Sequence, residues 1–320
     1  MDNPNQTRFS GFILLGLSSN PNYQILLFVI FLSLYVVNML GNTIMILTIT
    51  MYSGLHSPMY FFLWNLSILD MGLTSSTIPK LLLDFVSEVK YISFASCVVQ
   101  LYSFISFGGM ECVLLGVMSL DRYVAVCKPL RYSVIMNRSV CLILAGISWT
   151  VGLLNSVVQT AFTFHLPFCG SNQINHFFCD IPPLLALSCT NIHMNQIMLY
   201  LAMVIVSCSF LLTLLSYVFI MQAILKIRTA EGRQKAFSTC ISHLTVVSLY
   251  FVTIVFTYIR PESHFSLYQD TVVPVLYSAV TPTLNPVIYS LRNKEVQGIL
   301  KKAKYRTLEF FTRRQMLLPR

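Results

Sequence analysis

Apolar runs of membrane-crossing length recur along this sequence, at 24–50, 59–86, 96–126, 140–164, 194–225, 236–259 and 271–291. A spanning helix needs about 20 mostly apolar residues. Inside hydrocarbon the backbone must satisfy its own hydrogen bonds, so runs of this kind become helices packed side by side. The expected fold is an all-α membrane protein, a seven-transmembrane helix bundle. Only 10% of the residues are charged, against about 25% in a soluble domain. The chain divides into an extracellular N-terminus at 1–23, the bundle at 24–291 and a cytoplasmic helix and tail at 292–320.

A net charge of +9 would suit a nucleic-acid partner, but its distribution points to membrane lipid instead. Of 21 Lys and Arg, 17 fall in 122–138, 226–235 and 292–320, which lie on one side of the runs. Arg8, Lys80, Lys90 and Arg260 lie on the other. Basic loops stay in the cytosol, so the N-terminus is outside and the protein is a multi-pass membrane protein. An odd number of spans agrees with this. Residues 1–22 hold no basic region followed by a cleavage site, so no removable signal peptide is expected. Asn5-Gln6-Thr7 is a glycosylation sequon on the outer side, whereas the sequons at Asn65 and Asn137 would lie in membrane and cytosol.

At the end of the third run stands Asp121-Arg122-Tyr123, followed by Pro129. Such a pair either marks where a helix leaves the membrane or forms a latch, an arginine held by its neighbouring carboxylate until helices part. The second and third runs each bury an acid, Asp70 and Glu111. A carboxylate at that depth faces the interior, takes a proton or finds a polar or cationic partner. Catalysis by the pair is the sharper alternative, but no accompanying protease motif is present; no catalytic residue, cofactor or metal site is expected. In the seventh run, Pro286 kinks the helix and Asn285 can bond the freed carbonyls, while Tyr289 follows one turn on. Beyond it Val296, Ile299, Leu300 and Ala303 repeat at helical spacing beside Lys301, Lys302 and Lys304. These residues predict a short amphipathic eighth helix on the inner leaflet.

Cys97, Cys169, Cys179 and Cys189 fall on the oxidising side, where four cysteines allow three pairings. The connection 165–191 carries three of them, with His176 and Asp180 near Cys179. That cluster reads either as a soft-metal site or as a disulfide cysteine with polar neighbours. Gly108-Gly109 either permits tight helix contact or leaves room for a small ligand. Gly41-Asn42 and Trp149 read as packing features. The aromatic upper part of the sixth run suits packing or an apolar cavity.

Taken together, Gly41-Asn42, Leu55–Tyr60, the stretch Leu66–Asp70, Asp121–Tyr132, Lys235–Leu244 and Pro282–Asn293 resemble an odorant receptor of the rhodopsin-like class of G-protein-coupled receptors, of the tetrapod type. Two departures stand out: Met118-Ser119-Leu120 where that family usually has Met-Ala-Tyr, and Tyr250-Phe251-Val252 where Phe-Tyr-Gly is usual. The resemblance implies disulfides Cys97–Cys179 and Cys169–Cys189. It implies an odorant bound by Phe104, Ile105 and Gly108 on the third helix and by Met203 and Val206 on the fifth. Phe251, Ile254, Val255 and Tyr258 on the sixth complete that set. It further implies coupling of Asp121, Arg122 and Tyr123, with Asn285, Pro286 and Tyr289, to a heterotrimeric stimulatory (olfactory) G protein that raises cyclic AMP. Few charged groups line the expected cavity, so a neutral, apolar ligand of low mass is expected. A membrane channel or transporter is the alternative, but no internal repeat or matched pair of broken helices appears.

Overall fold

The computed structural model describes residues 10–18, 20–169, 171–258, 272–292 and 297–298. The Asn5 sequon and the amphipathic repeat at Val296, Ile299, Leu300 and Ala303 lie outside them.

The bundle is built from α1 (Pro21–Met51), α2 (Pro58–Val86), α3 (Phe94–Cys127), α5 (Arg138–Phe164), α7 (His193–Leu225), α8 (Ala230–Tyr258) and α9 (Thr281–Arg292). Two short helices, α4 (Tyr132–Ile135) and α6 (Ile181–Leu185), sit in connections. Helix starts follow local chemistry. Asn20 accepts from Asn22 N at 3.0 Å ahead of Pro21, and Asn137 accepts from Val140 N at 3.0 Å. Both satisfy backbone donors that a first turn leaves free. A π-helical turn, Leu276–Val280, leads into α9.

Five helices are long and apolar enough to cross a membrane: Pro21–Met51, Phe94–Cys127, Arg138–Phe164, His193–Leu225 and Val272–Tyr289. α2 is as long but turns Asn65, Ser67, Asp70, Thr74, Thr77 and Asp84 into the bundle. Its polar residues thus face protein rather than lipid. In α8 the apolar stretch is limited to His243–Tyr258.

α3 is the axis of the bundle. Its most apolar window is 61% buried, against 11% for α1 and 17% for α7, so α3 is surrounded by protein while the other two face outward. α3 packs on α2, α5 and α7. The α3–α5 contact depends on Gly152: a Cβ there would lie 2.6 Å from Met110 N and 2.9 Å from Ser106 O. Trp149 is tied as well as packed, its indole donating to Asn65 Oδ1 at 3.1 Å. Asn42 bonds within α1, to Asn38 O at 3.1 Å, and Asn38 Oδ1 accepts from Thr74 on α2 at 2.9 Å.

One feature lay outside the all-α expectation. β1 (Gly11–Leu14) pairs antiparallel with β2 (Tyr91–Ser93) and parallel with β3 (Gln173–Ile174), giving the order β2-β1-β3. Phe12 and Leu14 share one face by strand alternation and are fully buried on Ile92, Leu101, Ile174 and Ile181. Gly11 is required by contact, since a Cβ would fall 2.3 Å from Ile92 O. The segment after α5 is thereby pinned across one end of the bundle.

Two disulfides fasten that lid. Cys97 at the start of α3 bonds Cys179, and Cys169 bonds Cys189, each with Cα atoms 5.7 Å apart. With Cys179 joined to Cys97, the cluster of His176, Cys179 and Asp180 is not a thiolate metal site. The remaining cysteines, 112, 127, 141, 208 and 240, are free thiols.

Candidate functional site

Below the lid lies a cavity with about 780 Å³ of space free of protein atoms, its mouth included. Its lining is mostly apolar with a few polar side chains, the character of a small-molecule site. From α3 come Phe104, Ile105 and Gly108; from α7 come Met203 and Val206; from α8 come Ile254 and Tyr258. The structure therefore brings seven of the nine sequence-selected residues to one wall. The other two stand away from it. Phe251 is buried against Phe210 with ring centroids 5.4 Å apart, and Val255 is 41% exposed on the outer face of α8. On a helix of 3.6 residues per turn, positions 251 and 255 share a stripe, and that stripe is turned past the cavity.

The tyrosine of this stretch stands one residue before Phe251. Tyr250 lines the cavity floor and donates to Gly108 O at 2.5 Å, linking α8 to α3. Gly108 and Gly109 also divide their duties. Both line the cavity, while Gly109 faces the α5 backbone, its Cβ position 3.2 Å from Gly152 Cα. Both uses foreseen for this pair, tight contact and ligand room, are present.

The roof is polar. Asp180, at the start of α6, is 1% exposed. It accepts from Ile181 N at 2.8 Å and from Tyr258 Oη at 3.0 and 3.2 Å. Burial pushes its carboxyl up to about 6, a rise that these hydrogen bonds oppose but do not cancel. Tyr277 closes the same corner from the turn before α9.

Sequence reasoning did not select Asp180 or Tyr277 for the site, nor the α5 residues Asn155 and Gln159, which also line the cavity. Gln159 is held, donating to Met198 O at 2.7 Å. The available signal was polarity: Asn155 and Gln159 are one turn apart in an otherwise apolar run, which places them on one face.

Midway down the bundle, Asn285 Nδ2 donates to both oxygens of Asp70, at 2.9 and 3.1 Å. Asn285 was expected to bond carbonyls freed by Pro286; its amide instead ties α9 to α2. Pro286 itself packs on Gly41, whose Cβ position is 3.0 Å from Pro286 Cγ. Glu111 is fully buried on α3 near this pair, and neither of its oxygens makes a hydrogen bond among the described residues.

At the far end from the lid, Asp121 and Arg122 are buried at 2% and 6% exposure. The latch was pictured as an ion pair between these neighbours, and the geometry is different. Asp121 Oδ1 accepts from Tyr132 Oη at 2.8 Å, and Lys80–Asp84 is the sole ion pair among the described residues. Successive residues on a helix diverge by 100° about its axis, so Asp121 turns to Tyr132 on α4 while Arg122 points about a quarter-turn away, still near enough to act on the carboxylate. Arg122 shares its surroundings with Tyr217, His243 and Tyr289, from α7, α8 and α9. Tyr217 Oη lies 2.8 Å from His243 Nδ1. Tyr123 is half-buried and meets Phe219 with centroids 5.9 Å apart. Leu130, 97% exposed, projects from the connection that follows.

Long apolar helices around a cavity, with a buried polar cluster at the other end, define a multi-pass helical membrane protein. Comparison with known proteins agrees. A family model described as "Olfactory receptor" matches residues 31–306. The chain is 49% identical to mouse (Mus musculus) olfactory receptor 5AR1 over 303 residues, covering 94% of this chain and 98% of that one. Human (Homo sapiens) olfactory receptor 5AP2 is 49% identical over 300 residues, covering 93% and 95%. Human olfactory receptor 2F1 is 49% identical over 303 residues, covering 94% and 96%. The chain belongs to the olfactory receptor family, and is thus a G-protein-coupled receptor for odorants and not an enzyme.

Proposed function

We propose that this receptor binds neutral, mainly apolar volatile molecules beneath the lid and activates a stimulatory G protein to raise cyclic AMP. The observation that carries the ligand class is the cavity wall. Phe104, Ile105, Met203, Val206 and Ile254 offer hydrocarbon, and no Lys, Arg, Asp or Glu lines it among the described residues. A charged ligand would be desolvated there without a counter-charge.

Signalling runs from this cavity to Arg122. Tyr250 joins α8 to α3 at the floor, and α8 continues to His243 and Cys240 beside Arg122. A ligand that favours an outward α8 therefore opens the mouth around Arg122, where Tyr123 and Leu130 meet the partner. A ligand shifts this equilibrium only by binding one state better than the other.

The protein resides in the plasma membrane with seven spans, the N-terminus outside and the basic end in the cytosol. The Lys and Arg clusters at 122–138 and 226–235 support that orientation, as do disulfides confined to the lid. The test is to express the receptor and apply a broad panel of neutral volatiles with cyclic AMP as readout. At least one should raise cyclic AMP dose-dependently. Currents without any cyclic AMP rise would favour a channel instead.

A further inference from the structure

The cavity wall on α5 bears an amide whose hydrogen bonds are uncommitted. Among the polar side chains facing the cavity, Gln159 is spent on Met198 O, Tyr250 on Gly108 O and Tyr258 on Asp180. Tyr277 stands in the Asp180–Tyr258 corner of the roof, its buried hydroxyl making no hydrogen bond of ordinary length among the described residues but facing that corner. Asn155 lines the same space, is half-buried, and makes no hydrogen bond among the described residues. Its Nδ2 lies 4.0 Å from the Cβ position of Gly109, beside the glycine seam where α3 and α5 meet.

An amide within a span such as Arg138–Phe164 has no bulk water to bond. Left without a partner in apolar surroundings, it costs free energy. The protein around it does not supply the partner. Gly109 and Gly152 provide no side chain, and Val151 and Met203 offer only hydrocarbon and a thioether. The seam itself is closed by backbone contact, with Met110 N and Ser106 O against Gly152, but Asn155 stands beside it in the cavity lining. An occupant of the cavity can therefore reach Asn155 with one polar atom while its carbon frame rests on Ile105 and Val206.

We propose that Asn155 is the specificity-determining anchor of the cavity, donating from Nδ2 to the oxygen of a ligand that carries a single carbonyl or hydroxyl group on a hydrocarbon frame. This rests on the small-molecule function proposed above and narrows its ligand class. Nδ2–H serves any oxygen acceptor, and Oδ1 adds a second bond when the ligand is an alcohol. A hydrocarbon of equal size would fit the cavity but leave the amide unpaired. Selection against it follows from that unpaired group as much as from the bond gained.

The test uses the full-length receptor and matched volatiles: saturated ketones, the corresponding alcohols, and the parent alkanes of equal carbon count. Responses are read as thermal stabilisation of purified receptor and as signalling in cells at equal surface expression. In wild type, ketones and alcohols should be at least about tenfold more potent than alkanes, the equivalent of one hydrogen bond. Asn155→Leu keeps the volume and should erase most of that gap, weakening oxygenated ligands by about tenfold while leaving alkanes unchanged or improved. Should Asn155→Leu fail to reach the surface, Asn155→Ala is read in the same way. Equal loss for oxygenated compounds and alkanes would make Asn155 a packing residue and overturn the proposal. An unchanged response to ketones and alcohols would overturn it equally. A wild-type receptor stabilised by no panel member would count against the small-molecule function itself, which separates that failure from failure of the anchor.

Discussion

Tyr258 on α8 donates its hydroxyl to both oxygens of Asp180 in the lid, at 3.0 and 3.2 Å. The contact joins α8 to the loop that closes the cavity. Since burial pushes Asp180 up to about 6 from 3.8, the folded lid favours the protonated acid. The stability linked to this group is fully present below pH about 4, and is lost as pH rises through about 6. Thermal unfolding of purified receptor should therefore show a melting temperature that falls between pH 5 and 7. Asp180→Asn should flatten that part of the profile. An identical slope in the variant would assign the pH dependence to other groups.

The lid disulfides have separable consequences. Cys169 and Cys189 are 20 residues apart in sequence, and closing a loop of that size contributes about 3 kcal/mol in the chain-entropy model. A Cys169→Ser, Cys189→Ser receptor should reach the surface in reduced amount and unfold at lower temperature. Cys97→Ser should impair ligand response more severely, because Cys97 ties the lid to α3 directly above Phe104. Non-reducing peptide mapping that linked Cys97 to Cys169 or Cys189 would contradict both assignments.

Asp70 and Asn285 link α2 to α9 where Pro286 bends against Gly41. Asp70→Asn keeps the shape but removes the acceptor carboxylate. It should change basal signalling or shift ligand potency by about threefold or more, the effect of roughly half a hydrogen bond. Glu111→Gln should do so less, as Glu111 makes no hydrogen bond among the described residues. Unchanged dose-response curves for both, at equal surface levels, would reduce the two acids to packing roles.

Much of this architecture could be read from residue patterns because the bilayer enforces it. Spanning helices need uninterrupted apolar runs, and basic clusters record sidedness, so both leave long signals. The strand Gly11–Leu14 left none: four residues that bond to Tyr91–Ser93 and Gln173–Ile174 are specified by distant partners. The candidate cavity residues on α3 and α7 came from the family resemblance, and they line the cavity. Phe251 and Val255, carried over in the same way, do not line it, because the i, i+4 stripe of Tyr250, Ile254 and Tyr258 is the one turned to the cavity. Adjacent sequence also misled at Asp121-Arg122, where the helical turn sends one side chain to Tyr132 and the other towards Tyr217 and His243. Asn155 is the converse case, an amide one turn from Gln159 whose place beside Gly109 the sequence does not show.

The central claim is that ligand occupancy beneath the lid is transmitted to Arg122. It is tested most directly by measuring odorant binding and cyclic AMP together in Ile105→Trp and Arg122→Ala, at matched surface expression. Ile105→Trp fills the cavity and should weaken binding, moving the cyclic AMP curve to higher odorant concentration by about tenfold or more, as for a lost side-chain fit. Arg122→Ala acts after binding, so binding should persist while the cyclic AMP response disappears. A full cyclic AMP response in Arg122→Ala would contradict the account.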